Sequence, residues 1–181
     1  MPKILVLSDT HQNLKILENV LEANLDSNII IHLGDDYEDM DNFPNLTEGK
    51  EVIKVPGIFH PKYKDGSLPK QKEITINGRK VILIHSRDDI EGTADLYLFG
   101  HTHNWELANS KKGIYFNPGH LHSEEEKGLP SRSRPRGKPW QNKATAKQGR
   151  IASYGIIETE EGKFKITIFN YQHKLILQAV V

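Results

Sequence analysis

Apolar residues gather along the chain in short unbroken runs, and each of four such runs ends abruptly in carboxylate or imidazole. Ile4 to Leu7 leads into Ser8-Asp9-Thr10-His11, and Ile29 to Leu33 leads into Gly34-Asp35-Asp36. Val81 to Ile84 leads into His85-Ser86, and Asp95 to Phe99 leads into Gly100-His101-Thr102-His103. Short apolar runs closed by turn residues predict strands buried on both faces of a sheet. Between the first two runs, Leu14, Leu17, Val20, Leu21 and Leu25 recur at three- and four-residue steps. That spacing predicts a helix, with Asn13 as its N-cap. A strand–helix–strand unit predicts parallel pairing with a right-handed crossover.

Glu51 to Val55 reads as a third strand, followed by Pro56-Gly57-Ile58-Phe59-His60-Pro61 and a surface loop to about Gln71. Ile74–Ile76 and Val81–Ile84 flank Asn77-Gly78, the strongest short signal for a two-residue hairpin turn. Trp105–Ala108 and Gly113–Phe116 predict a second hairpin, and Asn117-Pro118-Gly119-His120 is turn chemistry. Tyr154, Ile156 and the stretch Phe164 to Ile168 alternate with period two about a Glu-Gly turn, and Leu175 to Val181 is a closing strand. His32, inside an apolar run, reads as a core histidine, and His173 as an exposed turn residue. Asp36, Glu38, Asp39 and Asp41 read as a solvated acidic loop or short helix start. This order predicts an α/β fold of two β layers with helices packed outside.

The length of 181 residues suits one domain over 1–181. Periodicity lapses between Leu121 and Arg150, where Arg132, Arg134, Arg136, Lys138 and Trp140 stand in a polar tract. A tract of this kind inside a compact domain predicts a flexible basic insertion at 121–150, placed to meet an anionic substrate. Lysine plus arginine number 24, as do aspartate plus glutamate, so the whole molecule does not attract nucleic acid or anionic membrane. A nuclease role therefore rests on the basic tract and Trp140 alone. The absence of cysteine excludes disulfides and thiol catalysis. Met1-Pro2-Lys3 runs straight into the first strand and no apolar run is long enough to span a bilayer, so the expectation is a cytoplasmic protein without membrane association.

Ligands of open α/β sheets sit beyond the carboxyl ends of the strands. Asp9, His11, Asp35, His85, His101 and His103 would converge there. Mixed imidazole and carboxylate without thiolate suits Mn²⁺, Zn²⁺, Fe²⁺ or Ni²⁺, with Mn²⁺ the expected ion. Six ligands are too many for one ion with an open position and about right for two. Two ions roughly 3.5–4 Å apart are the arrangement used in phosphoryl transfer. The ligand set thus predicts phosphoryl-transfer chemistry at two metal ions. The competing expectation is a catalytically inactive metal-binding scaffold that docks a protein.

The ordered set Asp9-x-His11, Gly34-Asp35, His85 and Gly100-His101-x-His103 resembles the calcineurin-like metallophosphoesterase superfamily. Within it, the chain is similar to the small bacterial and archaeal phosphodiesterases and to their relative in the retromer coat. Residues 1–120 and the closing strands carry the resemblance, with Asn117-Pro118-Gly119 as a further family-like feature. It implies a four-layer α/β/β/α sandwich of two mixed sheets. It also implies one metal on Asp9, His11, Asp35 and His103 and a second on Asp35, His85 and His101, with Asp35 bridging. The activity it implies is dinuclear-metal-dependent hydrolysis of a small-molecule phosphodiester, with a metal-bridging hydroxide as nucleophile. Two features depart from the pattern. Gly57 is followed by Ile58 and Phe59, where the family usually places a metal-binding asparagine and often a catalytic histidine. His60, one position on, is the candidate replacement ligand or acid. The segment from His85 to Gly100 is also shorter than the family's usual helix.

Overall fold

A computed structural model describes residues 2–123, 125–126 and 150–181. The basic tract expected at 121–150 lies, but for its ends, outside the described residues. In chain order the elements are β1 (Ile4–Leu7), α1 (Leu14–Glu22), β2 (Ile29–His32), a 3₁₀ turn over Tyr37–Asn42, and α2 (Pro44–Thr47). There follow β3 (Glu51–Lys54), α3 (Pro61–Lys64), β4 (Gln71–Ile76), β5 (Arg79–Ile84), a 3₁₀ turn over Arg87–Asp89, and β6 (Leu96–Leu98). The remainder is β7 (Glu106–Ser110), β8 (Gly113–Asn117), β9 (Glu125–Glu126), β10 (Arg150–Ile151), β11 (Ser153–Glu160), β12 (Lys163–Asn170) and β13 (Leu175–Val180).

The first sheet runs β13-β12-β11-β1-β2-β3 and the second β4-β5-β6-β8-β7. Both are mixed. β1–β2 and β2–β3 pair in parallel while β1–β11 is antiparallel. In the second sheet β5–β6 and β6–β8 are parallel, flanked by the antiparallel pairs β4–β5 and β7–β8. The strand–helix–strand unit therefore forms as its pattern predicts. The Asn77-Gly78 hairpin also forms, with Ile76 opposite Arg79 and both turn residues at positive φ (48° and 76°). A two-residue loop twisted to match its strands needs both residues there, which Asn and Gly tolerate best.

The main core lies between the sheets. Val6, Ile31 and Ile166 from the first meet Leu83, Leu98 and Phe116 from the second. On the outer face of the first sheet, Ile16, Leu17, Val20 and Leu21 of α1 pack on Leu5, Leu7, Ile30 and Tyr154. On the outer face of the second, Ile82, Tyr97, Phe99 and Tyr115 are covered by Ile90 and Ala94, with the Arg87 guanidinium 4.3 Å from the Tyr115 ring centre. The short segment after His85 leaves room there for one 3₁₀ turn, to which α3 is tied by the Tyr63 hydroxyl donating to Asp89.

Two expectations change in detail. The helix stops at Glu22 and leaves Leu25 57% exposed, because the Asn24 side chain turns back to donate to the Val20 carbonyl (2.8 Å). Asp39 is not solvated: it is buried and accepts the Gln12 N–H at 2.8 Å. The acidic cluster as a whole forms the short helix start that is one of its two readings, a 3₁₀ turn over Tyr37–Asn42. Among the described residues no helix is long and apolar enough to cross a membrane.

Candidate metal centre

The parallel strands β1, β2, β5 and β6 deliver their carboxyl ends to one edge of the sandwich, and the six side chains collect there. Five of them occupy the left-handed backbone region: Asp9 (φ 53°), His11 (46°), Asp35 (53°), His101 (67°) and His103 (57°). L-residues held there cost on the order of 1–3 kcal/mol each and persist only where surrounding contacts enforce them. Those contacts are present. Asp9 N–H donates to the Gly34 carbonyl and Gly100 N–H to the His85 carbonyl, each at 3.0 Å. The buried Asn117 amide donates to the Gly100 carbonyl (2.7 Å) and Thr102 Oγ1 (3.1 Å), fixing the loop that bears His101 and His103.

Two triads result, Asp9–His11–His103 and Asp35–His85–His101, each with ligand atoms within 4.8 Å of one another. In the first, Asp9 Oδ1 and His103 Nε2 are 3.2 Å apart, His11 Nε2 and His103 Nε2 3.2 Å, and His11 Nε2 and Asp9 Oδ1 4.0 Å. Ligands about 2.0–2.2 Å from a shared ion sit about 3–3.5 Å from each other, so two of these three separations already suit a cation. In the second triad His85 Nε2 is 3.3 Å from Asp35 Oδ2. That same oxygen is 3.8 Å from His11 Nε2, so Asp35 faces both triads.

The way each ligand is held tests the fit to a metal. Asp9 Oδ2 is saturated by the Ser8 hydroxyl and the His101 N–H (3.0 Å), while its buried Oδ1 makes no hydrogen bond. His85 uses Nδ1 on the Leu33 carbonyl at 2.7 Å, which fixes the proton there and leaves the buried Nε2 without a hydrogen bond. Buried polar atoms are rarely left in this state. An oriented histidine whose other nitrogen is free is the usual supporting arrangement of a metal ligand. The residues fit a pair of divalent cations.

The charges agree. Burial pushes the Asp9 carboxyl up, but the His103 imidazole and the His85 charge outweigh it and hold Asp9 well below the usual carboxylate range. Burial pushes His85 down, yet the Asp35 and Asp9 carboxylates beside it leave its pKa raised. Burial and then the His85 charge lower His101. The carboxylates therefore favour positive charge at His85, while burial and the His85 charge oppose it at His101.

Ile58 and Phe59 line the flank after β3, and Ile58 offers no ligand atom. Gly57 carries the close approach here, since a Cβ at this position would collide with Asp35 Oδ1. His60 lines the same cavity as His11 and Asp35, of about 470 Å³. Its ring nitrogens are spent nearby: Nε2 lies 3.0 Å from Glu38 Oε1, and Nδ1 accepts the Lys62 N–H as cap of α3. His32 is the satisfied core histidine its run implies, with Nδ1 accepting the Gly34 N–H and Nε2 facing Thr10 Oγ1, each at 3.3 Å. Two histidines that the turn reading passed over stand beside the first triad. His120 is fully buried with its ring stacked 5.2 Å from that of His103, and His122 lies 5.0 Å from that of His11. Their signal was available, since they too follow an apolar strand, Ile114 to Phe116.

Residues 2–131 match the family model of the calcineurin-like phosphoesterase superfamily domain. Among solved structures, the chain is similar to YfcE, a phosphoesterase from E. coli (TM-score 0.67, 17% identity, 99% of each chain covered). It is similar to Vps29 from Entamoeba histolytica in complex with Zn²⁺ (TM-score 0.63, 16% identity, 99% of this chain and 98% of that one). A predicted phosphoesterase from Streptococcus pneumoniae TIGR4 also matches (TM-score 0.60, 19% identity, 99% and 97%). At these identities the likeness is one of fold. No curated protein matches the chain in sequence.

Proposed function

The chain belongs to the calcineurin-like phosphoesterase superfamily, and from that premise we propose that it is a two-metal phosphodiesterase acting on small-molecule diesters. The observation that carries the reading is Asp35 Oδ2, placed 3.3 Å from His85 Nε2 and 3.8 Å from His11 Nε2 between two imidazole-rich triads. Asp9, His11 and His103 would hold one ion and His85 and His101 the other, with Asp35 within reach of both; Mn²⁺ would suit this oxygen and imidazole set. Divalent cations there supply the positive charge that a transferring phosphoryl group demands and make hydroxide available near neutral pH.

The chain's own residues set the rest. Ser8 and the His101 N–H orient Asp9, and the Leu33 carbonyl orients His85, so the ligands are fixed before substrate arrives. The adjoining cavity, walled by Tyr37, Phe59 and His60, has room for the alcohol arm that distinguishes a diester from a monoester. None of its described lining residues is lysine or arginine, while Asp36 and Glu38 are carboxylates, so polyanions such as nucleic acid are poorly received. With Phe59 at the rim and His60 engaged by Glu38, departure of the alcohol gains little from an acid on this flank. Diesters with acidic leaving groups should react fastest.

The test is hydrolysis of an activated aryl phosphodiester by chelator-stripped protein with and without added Mn²⁺. Mn²⁺-dependent turnover, faster on the diester than on the corresponding monoester, supports the reading. Full metal loading without turnover on either favours the scaffold reading, for which Phe59, 69% exposed, is the specific observation.

A further inference from the structure

The solvent side of the first triad carries one more imidazole. His122 is exposed, with its ring edge-on at 5.0 Å from that of His11 and 6.2 Å from that of His103. The nearer separation is close to those inside the triads themselves, 5.1 Å for His11 and His103 and 5.3 Å for His85 and His101. The backbone beneath it is secured on three sides. The Asn13 amide donates to the His122 carbonyl at 2.8 Å. Leu121 is fully buried and its N–H donates to the Asp9 carbonyl at 3.1 Å, and the Ser153 N–H donates to the His120 carbonyl at 2.8 Å. His122 is thus tied to Asn13, the cap of α1, and its neighbour Leu121 to Asp9 itself. Across the site, Phe59 has no proton to donate and His60 has both nitrogens engaged.

Resting on the phosphodiesterase reading, we propose that His122 is a substrate-contacting residue whose imidazole N–H donates a hydrogen bond to a non-bridging phosphoryl oxygen at the first triad. Either neutral tautomer carries one ring N–H, so the contact needs no change of protonation. An oxygen drawn toward the Asp9–His11–His103 group comes to rest beside an edge-on, exposed imidazole on an anchored backbone. The bond holds the phosphoryl group in orientation while the cavity beside Tyr37 and Phe59 receives the alcohol arm.

The experiment compares wild type, His122→Ala and His122→Gln, each loaded with Mn²⁺, for ions bound and for affinity toward inorganic phosphate, with KM for the aryl diester alongside. A net hydrogen bond of this type corresponds to about a two- to tenfold change in affinity. The expected result is phosphate binding weakened two- to tenfold in His122→Ala, a matching rise in KM, unchanged metal equivalents, and recovery in His122→Gln, which keeps an N–H. Unchanged phosphate affinity in His122→Ala overturns the proposal, as does a parallel loss of metal, which would mean the residue acts by supporting His11. Wild type that binds metal, binds phosphate and turns over while His122→Ala behaves identically removes only this inference. Wild type that binds metal but neither phosphate nor diester removes the phosphodiesterase reading with it.

Discussion

At the scale of single residues, the site is defined by what each ligand's second atom does. Asp9 commits one oxygen to Ser8 and the His101 N–H and turns the other, which makes no hydrogen bond, toward His103; His85 commits Nδ1 to a carbonyl and turns Nε2, likewise without a hydrogen bond, toward Asp35. His32, beneath them, is the opposite case. Burial, with the Lys54 and His85 charges, pulls its pKa down to about 3 against the pull of the Asp9 and Asp35 carboxylates. Its Nδ1 is also occupied as an acceptor. The unfolded chain takes up that proton near the ordinary histidine value of 6.5, so between pH 6.5 and about 3 the unfolded state binds more protons and stability falls as pH falls. Each pH unit in that window carries up to about 1.4 kcal/mol. We expect denaturant unfolding of the metal-free protein to weaken progressively from pH 6.5 downward. In His32→Gln that slope should flatten, though the variant begins from lower stability. An unchanged slope would show that His32 is not the group responsible.

At the scale of elements, the active edge depends on loops stapled across strands. Asn117 at the end of β8 joins the Gly100 carbonyl, Thr102 Oγ1 and the Gly119 N–H (2.9 Å) in one side chain. Asn117→Ala leaves these buried groups without their partner, at a cost of about 1–3 kcal/mol. It should also loosen His101 and His103, one from each triad, so a metal titration should show both ions held more weakly. Loss of stability with unaltered metal affinity would contradict the link. Much at this scale was legible beforehand. Strand-end placement located six ligand candidates, Asn77-Gly78 located a hairpin, and the leucine spacing located α1. The parts not legible depended on partners far away in sequence. The place of β8 between β6 and β7, the burial of Asp39 under Gln12, and the stacking of His120 on His103 all arise from tertiary contacts that local pattern does not encode.

At the scale of the whole molecule, two mixed sheets share one core and bring four parallel strand ends to one edge. The arrangement gathers Asp9 and Asp35, both nearly inaccessible to solvent, beside four histidines. Buried carboxylates without cations are costly, so metal should stabilise the fold as well as serve chemistry. Ions bound only by the native state add about 2.7 kcal/mol at a hundredfold excess over Kd. Chelator treatment should therefore lower Tm, and Mn²⁺ added back should restore it in a concentration-dependent way. A melting curve indifferent to chelator and Mn²⁺ would contradict a resident metal centre.

The central claim is that two ions share Asp35. The direct measurement is the number of metal equivalents retained, after dialysis against Mn²⁺, by the wild type and by Asp35→Asn. About two per chain are expected for the wild type, as six ligands in two triads require. At most one, weakly held, is expected for Asp35→Asn, with loss of diester hydrolysis. Two equivalents and full turnover in Asp35→Asn would show that the carboxylate between the triads does not join them, and the dinuclear account would fall.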